Sequence, residues 1–272
     1  MMLINGESAT QISGHDRGLH YGDGVFETLA VRDGRPLLWE QHLQRLGNGC
    51  VRLGIPMPAP ALLASEAAQV CAGAVQGVLK IIVTRGVGAR GYRVTAPVQA
   101  TRLVALYPWP TWPDEYAQRG VRVRVCNTRL GSNPALAGLK HLNRLEQVLA
   151  RSEWDDVSIA DGLMLDTAGH VIEGTMSNLF VVHDGQLLTP GLDSCGVAGI
   201  VRGVILELAA RHAIACEITE LDLQQVREAD EILLCNSLIG VWPVRELDGV
   251  HYEPGPLTQR LTTYLAEMVG SC

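Results

Sequence analysis

Of the 22 basic residues in this 272-residue chain, 20 are arginine and only Lys80 and Lys140 are lysine. Arginine keeps its proton near neutral pH, whereas a partly desolvated lysine can become a free amine, able to act as nucleophile or base. Amine chemistry therefore has two candidates. Lys80 lies in VLKIIVT, where strand alternation puts Val78, Lys80, Ile82 and Thr84 on one face. There its amine would reach solvent or pair with a carboxylate. Lys140 follows Asn133-Pro-Ala-Leu-Ala-Gly-Leu and opens a stretch, residues 141–151, that reads as a helix. A helix start favours anions, so a lysine there is either accidental or has its ammonium form disfavoured and its amine made reactive.

Other segments offer complementary groups. Gly196-Val-Ala-Gly-Ile200 runs into a helical pattern with Arg202 in its first turn. Backbone N–H groups at a helix start form an anion site, and glycine permits close approach. The segment is neither a Rossmann fingerprint nor a Walker loop, because no G-K-[ST] follows. Asn236-Ser237 adds amide and hydroxyl donors after an apolar strand, and Glu173 leaves a short strand just before a glycine. That carboxylate is either a turn residue or a charge aimed into a cleft. His15, His20 and His141 lie near glycine-rich or lysine-bearing segments, but the eight histidines show no metal-ligand spacing. No G-x-S-x-G is present, so a hydrolase serine is not supported.

The elements that must position these groups are short and mixed. Residues 22–32 alternate as a strand and end at the turn Asp33-Gly34, with residues 36–38 as the returning strand. Residues 39–53 place Leu43, Leu46, Cys50 and Leu53 on one helical face, and residues 61–74 form a second, alanine-rich helix. Strands follow at 78–84 and 101–107. The proline-rich YPWPTWPD, residues 107–114, continues neither helix nor central strand and reads as a linker. Beyond it come a strand at 121–126 and the helix at 141–151, with Leu142, Leu145 and Leu149 on one side. Short strands lie at 162–166, 171–173 and 178–182, a helix at 199–212, strands at 231–237 and 241–245, and a closing helix at 256–268. This pattern predicts an α+β (mixed α/β) architecture in two domains, residues 1–107 and 117–272, joined by the linker 108–116.

Composition narrows the class. The chain is 47% hydrophobic and 19% charged, which is globular. A net charge of −7 argues against a phosphate-neutralising nucleic-acid binder. The longest uncharged stretches reach 13 residues, too few to span a bilayer. The N-terminus lacks a basic region and apolar core, so a cytoplasmic location is expected. Seven cysteines without a C-x-x-C make a poor disulfide framework, and most sit in apolar runs as small hydrophobes.

Taken in order, the motifs resemble those of the fold-type IV pyridoxal-phosphate enzymes, which include branched-chain and D-amino-acid aminotransferases and 4-amino-4-deoxychorismate lyases. Asp16-Arg-Gly-Leu-His-Tyr-Gly-Asp-Gly-Val-Phe-Glu-Thr28 resembles the family's N-terminal motif. His42-Leu-Gln-Arg45-Leu resembles its arginine segment, Glu173-Gly-Thr-Met-Ser-Asn178 its glutamate segment, and Gly196–Arg202 its phosphate loop. Residues 77–92 and 133–148 are similar to the bacterial lyase subgroup in particular.

The resemblance implies a two-domain fold with pyridoxal 5'-phosphate in the cleft between domains. It implies Lys140 as the covalent anchor and base, and Glu173 as partner of the pyridine nitrogen. Arg45, Asn178, Gly199, Ile200 and Ser237 would bind the cofactor, with Thr28 contacting substrate and Lys80 peripheral. The implied reaction converts 4-amino-4-deoxychorismate to 4-aminobenzoate and pyruvate in folate biosynthesis, in a homodimer. The alternative is an aminotransferase acting on branched-chain or D-amino acids.

Overall fold

The computed structural model describes residues 1–95 and 97–270, so the expectation of a structural thiol at Cys272 lies outside the described residues. The chain groups into two compact units, one of Met1–Pro110 with Leu139–Asn143, the other of Thr111–Gly138 with Arg144–Cys272.

The first unit contains β1 (Met2–Ile4), β2 (Glu7–Ser8), α1 (Arg17–Tyr21), β3 (Gly24–Arg32), β4 (Arg35–Pro36), α2 (Trp39–Leu53), α3 (Pro60–Cys71), β5 (Gln76–Thr84) and β6 (Thr101–Tyr107). Its sheet has the order β2-β1-β6-β5-β3-β4, and β3 pairs with β5 antiparallel from Gly24–Thr84 to Arg32–Gln76. Alternation on these strands turns Val25, Leu29, Val31, Leu79, Ile81 and Val83 onto one buried core with Leu46 and Cys50 of α2 and Leu63, Ala67 and Val70 of α3. The opposite face carries Phe26, Thr28, Lys80 and Ile82, all only partly buried. The helix α2 stops where Gly54 adopts the left-handed conformation, φ 62°, and donates its N–H to the Cys50 and Val51 carbonyls.

The second unit contains α4 (Glu115–Arg119), β7 (Val121–Leu130), α5 (Leu145–Arg151), β8 (Ile159–Asp166), β9 (Val171–Gly174), β10 (Asn178–His183), β11 (Gln186–Pro190), α6 (Ile200–Arg211), β12 (Cys216–Thr219), α7 (Leu223–Arg227), β13 (Glu231–Asn236), β14 (Gly240–Leu247), β15 (Val250–His251) and α8 (Pro256–Gly270). Its sheet runs β12-β11-β10-β13-β14-β7-β8-β9, and β9 also pairs with β10. That last pairing, Asn178 opposite Glu173, closes β10-β13-β14-β7-β8-β9 into a ring. Inside lie Val121, Val123, Leu163, Leu179, Val181, Ile232, Leu234, Trp242 and Val244, one continuous core.

Two expectations are corrected. The helix read over 141–151 begins only at Leu145. Ahead of it the main chain runs beside β3: the Phe26 N–H donates to the Lys140 carbonyl at 2.9 Å, and the Leu142 N–H to the Gly24 carbonyl at 3.0 Å. Lys140 is therefore not at a helix start, and the dipole argument does not apply to it. The leucine spacing also does not mark a core face, since Leu145 is 75% and Leu149 60% exposed. The same pairing explains why Leu139–Asn143 groups with the first unit although the sequence reading assigns it to the C-terminal domain. Elsewhere the strands and helices fall close to their expected places, because their apolar periodicity and their glycine and proline stops agree.

The paired centre of the first sheet is the place where packing loss should be felt. Leu79→Ala on β5, a fully buried site, should destabilise the protein by about 2–5 kcal/mol. Chemical denaturation measures this, and Val75→Ala, 77% exposed, should change little by comparison.

Candidate active site

In the first unit, both lysines of the chain converge on a single ring. The Lys140 Nζ lies 4.5 Å and the Lys80 Nζ 5.3 Å from the centroid of Phe26. Thr28 stands one step along β3 on the same face and directly opposite Lys80 on β5. The aromatic face attracts both cations and gives the Lys140 amine an apolar flank. Sequence reasoning gave Lys80 a structural or peripheral role; its place beside Phe26 follows from the β3–β5 register, which no spacing within either strand reveals.

On the other face of β3 sits a buried ionic cluster. Glu27 accepts from Arg45 Nε at 2.8 Å and Nη2 at 2.5 Å, and its Oε2 lies 2.6 Å from His42 Nδ1. Glu27 and His42 are 1% exposed. Burial would raise the Glu27 carboxyl, but the hydrogen bonds and charge of Arg45, with those of His42, more than offset it and hold it below its ordinary 4.5. Burial lowers the His42 pKa below 6.5, and the Arg45 and Lys140 charges add to that against the pull of Glu27. His42 is thus neutral at pH 7 and donates its Nδ1–H to Glu27. The Nε–Nη2 edge of Arg45 is engaged by this carboxylate, so the fork itself is not what Arg45 offers an anion.

In the second unit, Glu173 ends β9, is 4% exposed, and accepts the Val197 N–H at 2.8 Å. Asn178, opposite it on β10, donates its amide N–H to the Val197 carbonyl at 2.9 Å and lies 3.5 Å from Glu173 Oε2. Both groups therefore grip the loop that leads into α6. The Gly138 N–H donates to the Gly196 carbonyl at 3.0 Å, and the Ala198 N–H to the Gly138 carbonyl at 3.0 Å, which pins that loop from another side. Gly199 caps α6 without a side-chain hydrogen bond, leaving the first-turn N–H groups of Ile200 and its successors facing outward from the helix start. A Cβ on Gly199 would come within 1.9 Å of Asn178 Oδ1, so the close approach here requires glycine. Asn236 Oδ1 accepts from the Leu238 and Ile239 N–H groups at 2.8 and 2.9 Å, shaping the turn that presents Ser237. Arg144, missed in the sequence, adds a cation in the field of Glu173 and Glu146.

The remaining candidates do not join these groups. The described cysteines are free thiols, five of them buried, and burial pushes Cys50, Cys71 and Cys195 up to about 11 and Cys126 and Cys235 up to about 12. They pack as inert hydrophobes. Among the described residues no cluster of metal-ligating side chains exists, and no helix is long and apolar enough to cross a membrane.

Comparison with known proteins identifies the family. Residues 24–247 match the amino-transferase class IV family. The chain is 36% identical over 265 residues to the aminodeoxychorismate lyase of Vibrio harveyi, covering 96% of this chain and 98% of that protein. It is 30% identical to a putative branched-chain-amino-acid aminotransferase of Methanocaldococcus jannaschii, over 94% of this chain and 90% of the relative. The crystal structure of 4-amino-4-deoxychorismate lyase from Pseudomonas aeruginosa superposes with a TM-score of 0.94 at 48% identity, covering 98% of both chains.

The Glu27–His42 pair makes stability depend on pH. The unfolded chain takes up a proton at His42 as pH falls through 6.5, whereas the folded protein does so only lower, so stability is lost from there downward. A second loss begins below 4.5, where the unfolded chain protonates Glu27 before the folded one does. The melting temperature should fall between pH 7 and 5, and His42→Asn should flatten that first step while leaving the second. A wild-type melting temperature that stays level across the first interval would contradict the assignment.

Proposed function

Since the chain belongs to the amino-transferase class IV family, we propose that it is a pyridoxal 5'-phosphate-dependent lyase that converts 4-amino-4-deoxychorismate to 4-aminobenzoate and pyruvate, a step of folate biosynthesis. The observation that carries the reading is the 48% identity to the Pseudomonas aeruginosa lyase over 98% of both chains. The residues fit the cofactor. The start of α6 has no side-chain cap, which suits a phosphate. Glu173 is a buried carboxylate suited to a protonated ring nitrogen, and Lys140 supplies an amine.

When bound, the cofactor supplies an electron sink for the pair released at an amine-bearing carbon. Lys140 would be its covalent anchor, and Lys140 Nζ as a free amine would take the proton from the amine-bearing ring carbon. Glu173 keeps a proton on the pyridine nitrogen, because a nearby carboxylate favours the charged form. The Gly199–Ile200 amides and Ser237 hold the phosphate, Arg45 adds its charge, and Asn178 secures the loop. Thr28 contacts the substrate. The C–O bond to the enolpyruvyl group then breaks, the proton returns to that fragment to give pyruvate, and the ring becomes aromatic. No oxidant is needed.

The deciding experiment incubates the protein with 4-amino-4-deoxychorismate and analyses the products. Equimolar 4-aminobenzoate and pyruvate are expected; amino transfer between branched-chain or D-amino acids and 2-oxo acids, with no 4-aminobenzoate, would replace the reading with the aminotransferase one. Borohydride should fix the cofactor to the peptide that contains Lys140. Lys140→Ala and Lys140→Arg should each lose about a hundred- to ten-thousand-fold in turnover, with Ala still retaining some cofactor. Labelling of Lys80 instead would overturn the anchor assignment.

The protein is proposed to work as a cytoplasmic homodimer, the commonest symmetric assembly. The support is the outward row on α5, where Leu145, Val148 and Leu149 are 75%, 55% and 60% exposed. Unpartnered apolar side chains in a row mark a surface that another chain covers. Light scattering should return twice the 29.4 kDa chain mass, and Leu149→Glu should shift it towards one. An active wild-type monomer at micromolar concentration would refute the assembly.

A further inference from the structure

A second buried carboxylate lies behind Glu173. Asp161 on β8 is 1% exposed, and among the described residues no cation pairs with it. Its Oδ1 accepts from the Gly162 N–H at 2.8 Å, the Thr175 N–H at 3.0 Å and the Thr175 hydroxyl at 2.6 Å. Its Oδ2 accepts from the Ser177 hydroxyl at 2.7 Å. Burial drives the carboxyl above its ordinary 3.8, with the Thr175 and Ser177 bonds pulling against it. An unpaired buried carboxylate is expensive unless its lone pairs are filled, and here neutral donors fill them, all but the Gly162 N–H from one short loop.

That loop, residues 174–177, is the tip that joins Glu173 to Asn178. The Gly174 N–H donates to the Ser177 carbonyl at 2.7 Å, closing the tip, and the Thr175 N–H also reaches the Gly162 carbonyl at 3.0 Å. A Cβ on Gly174 would lie 2.5 Å from Asp161 Oδ2 and 2.4 Å from Ser177 Oγ, so the loop is wrapped closely on the carboxylate. Glu173 and Asn178, at the two ends of the tip, hold Val197 by its N–H and its carbonyl. The chain of contacts runs from Asp161 through the tip to the loop that starts α6.

We propose that Asp161 is the positioning residue for the cofactor-binding end of the second unit: by templating residues 174–177 it sets Glu173 and Asn178, and through Val197 the phosphate loop. The inference rests on the cofactor reading above. Its signature is that removing one neutral donor from Asp161, without touching a cofactor contact, weakens cofactor binding.

Thr175 provides the test. Thr175→Val keeps the shape and deletes the hydroxyl donor, whereas Thr175→Ser keeps the donor. Thr175→Val should raise the dissociation constant for pyridoxal 5'-phosphate by about tenfold, the effect of losing one hydrogen bond to a charged group. It should also speed amide hydrogen exchange at Val197 in the cofactor-free protein. Thr175→Ser should restore both to within about twofold of wild type. Asp161→Asn should act in the same direction as Thr175→Val, and where it does not fold the Thr175 pair decides. Unchanged affinity and unchanged Val197 exchange in Thr175→Val, with only a lower melting temperature, would reduce Asp161 to a structural group and overturn the proposal. A wild-type protein that takes up no pyridoxal 5'-phosphate would instead sink the cofactor reading, a separately visible failure.

Discussion

The backbone pairing of Glu173 with Asn178 is the constraint on which the second unit turns. It is a single register pair, yet it joins the last strand of the path β10-β13-β14-β7-β8-β9 to the first and so closes the ring. Closure removes a sheet edge and encloses the core. It also fixes two polar side chains side by side, and these two grip the backbone N–H and the carbonyl of Val197. A strand pair required by packing thereby becomes the foundation of the loop ahead of α6. Any shift of register by one residue would turn Glu173 and Asn178 to the other face and release that loop.

In the first unit the corresponding constraint is alternation along β3. Glu27 and Thr28 are neighbours in sequence and opposite in space. Glu27 points to the helices and pairs with Arg45 beside a neutral His42, while Phe26 and Thr28 share the face with Lys80. Lys140 arrives at that face because its own backbone pairs beside β3, not through a helix. Its backbone is thus held by pairing beside β3 rather than by a helix turn.

Glu27, Asp161 and Glu231, three buried carboxylates, are satisfied differently, and the difference decides their character. Glu27 has a guanidinium and an imidazole, so it stays ionised despite burial. Asp161 has only hydroxyl and amide donors, so burial prevails and its carboxyl is harder to ionise. Glu231 accepts the Leu257 and Thr258 N–H groups and the Thr258 hydroxyl, an anion at the start of α8 that favours the helix there. None of the three is an isolated charge, which is the condition for carrying any of them inside the core.

From the sequence alone came the element types, the class of architecture and the two candidate amines, Lys80 and Lys140. Apolar periodicity with glycine and proline stops suffices for local structure, and a composition with two lysines narrows amine chemistry to two positions. The motifs around Lys140, Glu173 and Gly199 were legible because each is a run of contiguous residues. What depended on the tertiary structure were the relations between segments far apart in the chain. The extended path at Lys140 is imposed by β3, more than a hundred residues earlier, and overrides a helical leucine spacing whose side chains prove to be exposed. The convergence of Lys80 and Lys140 on Phe26, the capture of Arg45 by Glu27, and the seating of residues 174–177 on Asp161 arise from strand register and side-chain burial. Those are energies of non-local pairs, and periodicity within one segment carries no information about them.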